Sequence, residues 1–221
     1  MNPMNAPPTL RQRRKQARPQ ELLDAALALF VERGFAATRA EEVAKRAGVS
    51  KGTLYLYYPS KEELFKAVVR HNLSATILEG MEIAAAFEGS TADLLALVLR
   101  TWWERVGVGP SGGIVKIMMA EAGNFPELAQ FYAEEVIMPA QQLLGSVIQR
   151  GVQRGEFRPV PVADTVHVLC SPLLFLSLQQ QSFGACGVYT PQLVPESVLN
   201  TQIDLMLRGL MSDRGPGSPS P

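Results

Sequence analysis

Glu134 and Glu135 come closest to a catalytic carboxylate pair, yet adjacent positions on a helix diverge rather than converge on a substrate. His71 and His167 stand far apart and read as core or surface residues rather than metal ligands. Cys170 lies in an apolar stretch and reads as a small buried hydrophobe. Cys186 lies between glycines with no Lys, Arg or His beside it to lower its pKa, which argues against a thiol sensor. No nucleophile neighbours a base, no glycine-rich loop suits a phosphate, and no Cys/His spacing suits zinc. The chemistry open to this chain is recognition rather than bond-making. We expect no enzyme, no cofactor and no metal.

The charge distribution says where recognition sits. The 221 residues carry 21 Lys/Arg and 21 Asp/Glu, but residues 1–66 hold 12 basic against 7 acidic side chains, and the remainder is acidic. A basic front third suggests a polyanion partner for that end alone. At 47% hydrophobic the chain can bury a sizeable core, and two cysteines exclude a disulfide-dense scaffold. No secretory signal is visible. The strongly apolar part of the longest charge-free run, Val166 to Leu178, is short for a bilayer span and contains Pro172. The expectation is a soluble cytoplasmic protein without a membrane partner.

The elements that position the basic end follow from local signals. Leu22, Leu23, Ala26, Leu29 and Phe30 recur at helical spacing, with Pro19 suited to the first helical position and Gly34 as the stop. Thr38 with Glu41 reads as a capping box opening a short helix that ends at Gly48. Ser50 caps the next short helix, which Pro59 ends, and Ser60 with Glu63 opens another. Between two of these helices, Ala47-Gly48-Val49-Ser50 is what a helix-turn-helix needs: a small residue for close approach, a left-handed glycine, a core plug and a cap. Further helices are expected at roughly 91–107, 112–122, 126–154, 162–183 and 195–211, and no strand-type alternation competes, so the fold class is all-α. Residues 1–18, with Arg11, Arg13, Arg14, Lys15 and Arg18, read as a basic flexible arm, either a solubility tail or a tracker of phosphate or a minor groove; 214–221 reads as a disordered tail.

Phe30, Gly34-Phe35, Thr38, Val43-Ala44, Ala47 to Ser50, Gly52-Thr53-Leu54-Tyr55, Tyr58 and Ser60 to Leu64, in this order and register, resemble the TetR family of bacterial transcription regulators. The resemblance covers residues 19–66, and the rest matches only in layout. It implies an N-terminal three-helix DNA-binding domain over 19–66 and a larger C-terminal ligand-binding and dimerisation domain over 67–213. Residues 50–58 would be the recognition helix in the major groove. Ser50, Lys51, Gly52, Thr53, Tyr55 and Tyr57 would contact the groove, and Thr38, Arg39, Tyr58 and Lys61 the phosphates. Tyr55 could equally belong partly to the core. Leu56, where such proteins often carry a more polar or aromatic residue, would touch a thymine methyl or simply pack.

The same resemblance implies a homodimer on a palindromic double-stranded operator, most simply a repressor, released by a small-molecule effector. The charge-free helix with Val166, Leu169, Leu173 and Leu176 and the final stripe of Leu199, Ile203, Met206 and Leu210 suggest a four-helix dimer interface, the alternative being burial within one chain. Effector candidates are Trp102, Trp103, Met118, Met119, Phe125, Phe131, Tyr132, Met138 and Phe175, which suit an apolar or aromatic ligand but could as well be core. A regulator without an effector, or an all-helical carrier, are the alternatives.

Overall fold

The computed structural model describes residues 10–186 and 194–212, so the tail expected over 214–221 and the first half of the basic arm lie outside the described residues. The described residues form helices, with a single isolated bridge between Phe157 and Met211 and no strand. The contacts divide the chain into two compact units, one up to Val68 and one from Val69 onward.

The first unit holds α1 (Leu10–Arg33), α2 (Ala40–Arg46), α3 (Lys51–Tyr57) and most of α4 (Lys61–Val69). The helix expected to begin at Pro19 already begins at Leu10, with Pro19 inside it. The Arg/Gln/Lys/Ala run ahead of the proline consists of good helix formers, which outweigh the one ladder hydrogen bond that the proline removes. Leu22, Ala26, Leu29 and Phe30 form the buried stripe of α1. Gly34 and Gly48 end α1 and α2 at φ values of 82° and 67°, the left-handed conformation that glycine takes without steric cost. Phe30, Phe35 and Phe65 meet in a fully buried aromatic trio, with centroids 5.1 to 5.7 Å apart.

The first capping box is shifted by one residue from its expected place. The N-cap of α2 is Arg39, whose backbone N–H donates to Glu42 Oε2 at 3.3 Å. Thr38 is pulled inward instead, for a reason given below. The caps at Ser50 and Ser60 form as expected: each side-chain oxygen accepts from the backbone N–H three residues on, Thr53 and Glu63, at 3.1 Å.

The second unit contains α5 (Ala75–Ala86), α6 (Thr91–Trp102), α7 (Gly112–Glu121), α8 (Pro126–Tyr132), α9 (Met138–Gln153), α10 (Val162–Ser182) and α11 (Pro195–Leu210). Three π-helical turns, Arg70–Ser74, Trp103–Gly107 and Ala133–Ile137, adjoin these helices. Helix α10 packs on α7, α9 and α11, and α11 also reaches α6. The α5–α6 turn is held from α9: Arg150 donates to the carbonyls of Ala84 and Phe87 at 3.3 and 2.6 Å, covering orphan acceptors at the C-terminal end of α5.

This packing corrects the expected dimer stripe. Val166, Leu169, Leu173, Leu176, Leu199, Ile203 and Leu210 are buried in the core of their own chain, and Met206 packs against that core. Helices α6, α7 and α9 satisfy these apolar faces, which periodicity marks as buried without saying against what. The unpartnered apolar residues lie on the opposite faces: Val168 is 61% exposed and Phe175 62%, with Phe183 and Leu205 also exposed. By length and composition α10 is apolar enough to cross a membrane, but one side of it lies in this core.

Candidate nucleic-acid interface and effector cavity

Helix α3 is held to the first unit by one fully buried side chain, Leu54. At 100° per residue, Gly52 and Leu56 fall opposite Leu54, with Lys51 and Tyr55 on one flank and Thr53 and Tyr57 on the other. The outward surface therefore has a low spot at Gly52 and a projecting alkyl group at Leu56 between polar edges. Tyr55 is exposed rather than core, and Tyr57 and Tyr58 are half-buried. Burial pushes the Tyr58 hydroxyl pKa up, so it remains a hydrogen-bond donor across the physiological range. The hydroxyls of Ser50 and Thr53 lie 2.9 Å apart and are coupled at the start of the helix.

Lys51 Nζ stands 2.5 Å from Glu41 Oε1 and 5.7 Å from the Tyr55 ring centroid. The hydrogen bond to Lys51 lowers the Glu41 pKa and raises that of Lys51, although both side chains are exposed to solvent. Such a surface pair is worth little and exchanges readily for a phosphate. Arg39 is exposed at the start of α2.

Two of the proposed phosphate contacts have internal duties. Thr38 is only 1% exposed, and its Oγ1 donates toward the carbonyls of Leu29 at 3.2 Å and Gly34 at 2.7 Å. The Gly34 carbonyl lies just past the end of α1 without a helical donor, so the hydroxyl is drawn inward to it and the side chain is not a phosphate ligand. Lys61 Nζ donates to the carbonyls of Phe35 at 2.9 Å and Ala36 at 3.2 Å, 4.4 Å above the Phe35 ring. An ammonium has three N–H donors, so one remains for a phosphate beyond the turn it ties down.

The second unit encloses a cavity of about 280 Å³. Its wall is overwhelmingly apolar, built from residues such as Ile77, Leu99, Val115 and Leu173, with Thr76, Thr101, Gln141, Tyr132, His167 and Cys170 as the polar members. Among the described residues, no Lys, Arg, Asp or Glu lines it. Burial raises the Tyr132 hydroxyl and Cys170 thiol pKa values, so both stay neutral. Leu73, Val106, Val136 and Ile137 in the wall come from the three π-turns, a local geometry frequent at functional sites.

Of the aromatic and methionine candidates, Trp102, Met119 and Tyr132 line the cavity. Trp103 and Met118 are buried but point elsewhere, and Trp103 packs over Gly107, as the divergence of adjacent residues on a helix requires. Phe131 is buried under the Arg70 guanidinium, 4.8 Å from its centroid, and Phe125 is outside the wall. Met138 is exposed, and Phe175 faces outward. The residues sequence reasoning missed, among them Leu97, Ala140, Gln141 and Leu174, carry no chemical signature; only their partial burial in three dimensions reveals them.

Residues 22–68 match the family model described as bacterial regulatory proteins, tetR family, and residues 88–182 the model described as tetracyclin repressor-like, C-terminal domain. The chain is 30% identical over 212 residues to the HTH-type transcriptional repressor KstR2 of Rhodococcus jostii (strain RHA1), covering 95% of this chain and 98% of that one. It is similar in fold to FadR from Bacillus subtilis in complex with stearoyl-CoA, with TM-score 0.69 and 19% identity over 86% of this chain and 98% of that one. It is likewise similar to the ketosteroid transcriptional regulator KstR2 of Mycobacterium tuberculosis, with TM-score 0.63 and 24% identity over 89% and 96%.

Proposed function

Because the chain belongs to the TetR family of bacterial regulatory proteins, we propose that it is a homodimeric transcriptional repressor that holds a palindromic operator until an apolar effector fills its cavity. The observation that carries this reading is helix α3: capped, anchored by Leu54 alone, and outward over the rest of its surface. Ser50, Lys51, Gly52, Thr53, Tyr55 and Tyr57 would meet the groove, and Arg39, Tyr58 and the remaining Lys61 donor the flanking phosphates. Such a protein works in the cytoplasm, where the chromosome lies.

Dimerisation is assigned to the outward faces of α10 and α11, with Val168, Phe175 and Leu205 meeting their symmetry mates. Two recognition helices about 34–36 Å apart would then match successive major grooves.

The absence of Lys, Arg, Asp and Glu from the cavity wall, among the described residues, supports an effector whose buried body is uncharged. A long acyl chain or a steroid nucleus fits that description, with any charged portion left in solvent. The Bacillus subtilis FadR structure is a complex with stearoyl-CoA, and the Mycobacterium tuberculosis KstR2 is described as a ketosteroid transcriptional regulator. Helix α4 ends at Val69 and the chain runs directly into the π-turn whose Leu73 lines the cavity. An effector that displaces this turn shifts the dimer toward a state with mis-spaced half-sites, by as much as it prefers that state.

Ala140 lines the cavity, and Ala140→Trp fills it from a rigid helix. With stearoyl-CoA and a steroid ketone as probes, at least one should bind the native chain in calorimetry. The variant should lose at least tenfold in affinity for that probe while holding the operator within twofold. Equal binding of both probes to native chain and variant would reject the cavity as the effector site.

A further inference from the structure

We propose that Leu56 is a specificity-determining residue that reads a thymine methyl group in each operator half-site. The inference rests on the DNA-binding reading above. Leu56 is 81% exposed, so of the two roles open to it from sequence, packing within the chain is excluded. It lies in the middle of the outward face of α3, one turn after Gly52 and opposite the buried Leu54.

Gly52 adds an independent observation. A Cβ built there meets nothing closer than Ser50 Oγ at 3.8 Å, so the fold itself has room for a side chain. What the glycine provides is a low spot on the outer surface, where the backbone can approach a groove floor closely. The flanks carry ammonium and hydroxyl groups, Lys51 and Tyr55 on one side and Thr53 and Tyr57 on the other. The centre thus enters deepest and presents a branched alkyl group without hydrogen-bonding capacity.

The major-groove edges of the base pairs expose one apolar group, the thymine C5 methyl. Leu56 over that methyl removes apolar surface of both partners from water. Over cytosine it would cover the N4 amino donor without offering an acceptor, which costs affinity. Leu56 therefore selects for an A·T pair by attraction and against a C·G pair by desolvation.

The test starts with selection of bound duplexes from a random pool by the full-length protein. Each thymine of the selected half-site is then replaced by uracil, which keeps the pairing edge and lacks the methyl. One thymine position should weaken binding about fourfold per half-site, the effect of one buried methyl-sized group. Leu56→Ala, at an exposed position and checked for native helicity, should abolish the thymine–uracil difference at that position and leave the others unchanged. Thymine and uracil duplexes that bind alike, or a difference that survives Leu56→Ala, would overturn the assignment while leaving DNA binding intact. Failure to enrich any duplex would overturn the DNA-binding reading itself.

Discussion

Phe175→Glu should leave a folded subunit that no longer binds its operator tightly. The side chain is 62% exposed on α10, so the substitution opens no cavity in the core. In the proposed dimer it lies in an isologous apolar contact, where each copy meets the other subunit's α10. Two carboxylates would then be desolvated near one another without partners, a cost of several kcal/mol. The dimer should dissociate. A monomer engages one half-site and loses the gain from linking two, so operator affinity should fall at least about 100-fold. Sedimentation velocity should show the monomer, far-ultraviolet circular dichroism an unchanged helix content, and mobility shift the lost affinity. A dimeric variant with native affinity would place the interface elsewhere. The same substitution bears on the earlier expectation that Phe175 lines the effector cavity: probe affinity per subunit should survive it.

Phe35→Ala should unfold the DNA-binding unit. Phe35 is 1% exposed and sits against Phe30 and Phe65 with centroids 5.7 and 5.1 Å away. It also lies beneath the Lys61 ammonium. Truncating a buried phenylalanine costs about 3–5 kcal/mol from lost transfer energy and the remaining void. Loss of the edge-to-face and cation–π contacts adds to that. At roughly 0.05–0.15 kcal/mol per residue a unit of this size has only several kcal/mol of stability, so the loss removes most of it. Urea titration followed by circular dichroism should show an early transition absent from the native chain, and DNA binding should vanish with it. A loss below 1 kcal/mol would mean that the trio is not the keystone of this unit.

Features written in adjacent residues were the ones the sequence revealed. Gly48, Ser50 and Ser60 announce the turn and two caps because a left-handed glycine and an N-cap oxygen act within a few residues of themselves. Thr38 defeated the same reasoning. Its spacing to Glu41 imitates a capping box, but the carbonyls that claim its hydroxyl belong to Leu29 in the preceding helix and Gly34 just past its end. Lys61 has a second duty that local spacing does not show, since the carbonyls of Phe35 and Ala36 are its neighbours only after folding.

The helical stripes of α10 and α11 were read with the right periodicity and the wrong partner. Leu169 and Ile203 are apolar because they face their own core, and the pattern of a stripe is the same whichever surface covers it. The cavity was least legible of all. A void is a place where side chains stop short, so Ala140 and Leu97 matter as much as Trp102, and residue type does not distinguish wall from core.

Two copies of this chain should present paired α3 helices to one duplex. Sedimentation equilibrium of the full-length protein with a selected duplex, repeated across a range of salt concentrations, tests it most directly. The account predicts two chains per duplex and a logarithm of affinity that falls linearly with the logarithm of salt concentration. A solitary chain that leaves the duplex free even at low ionic strength would contradict it.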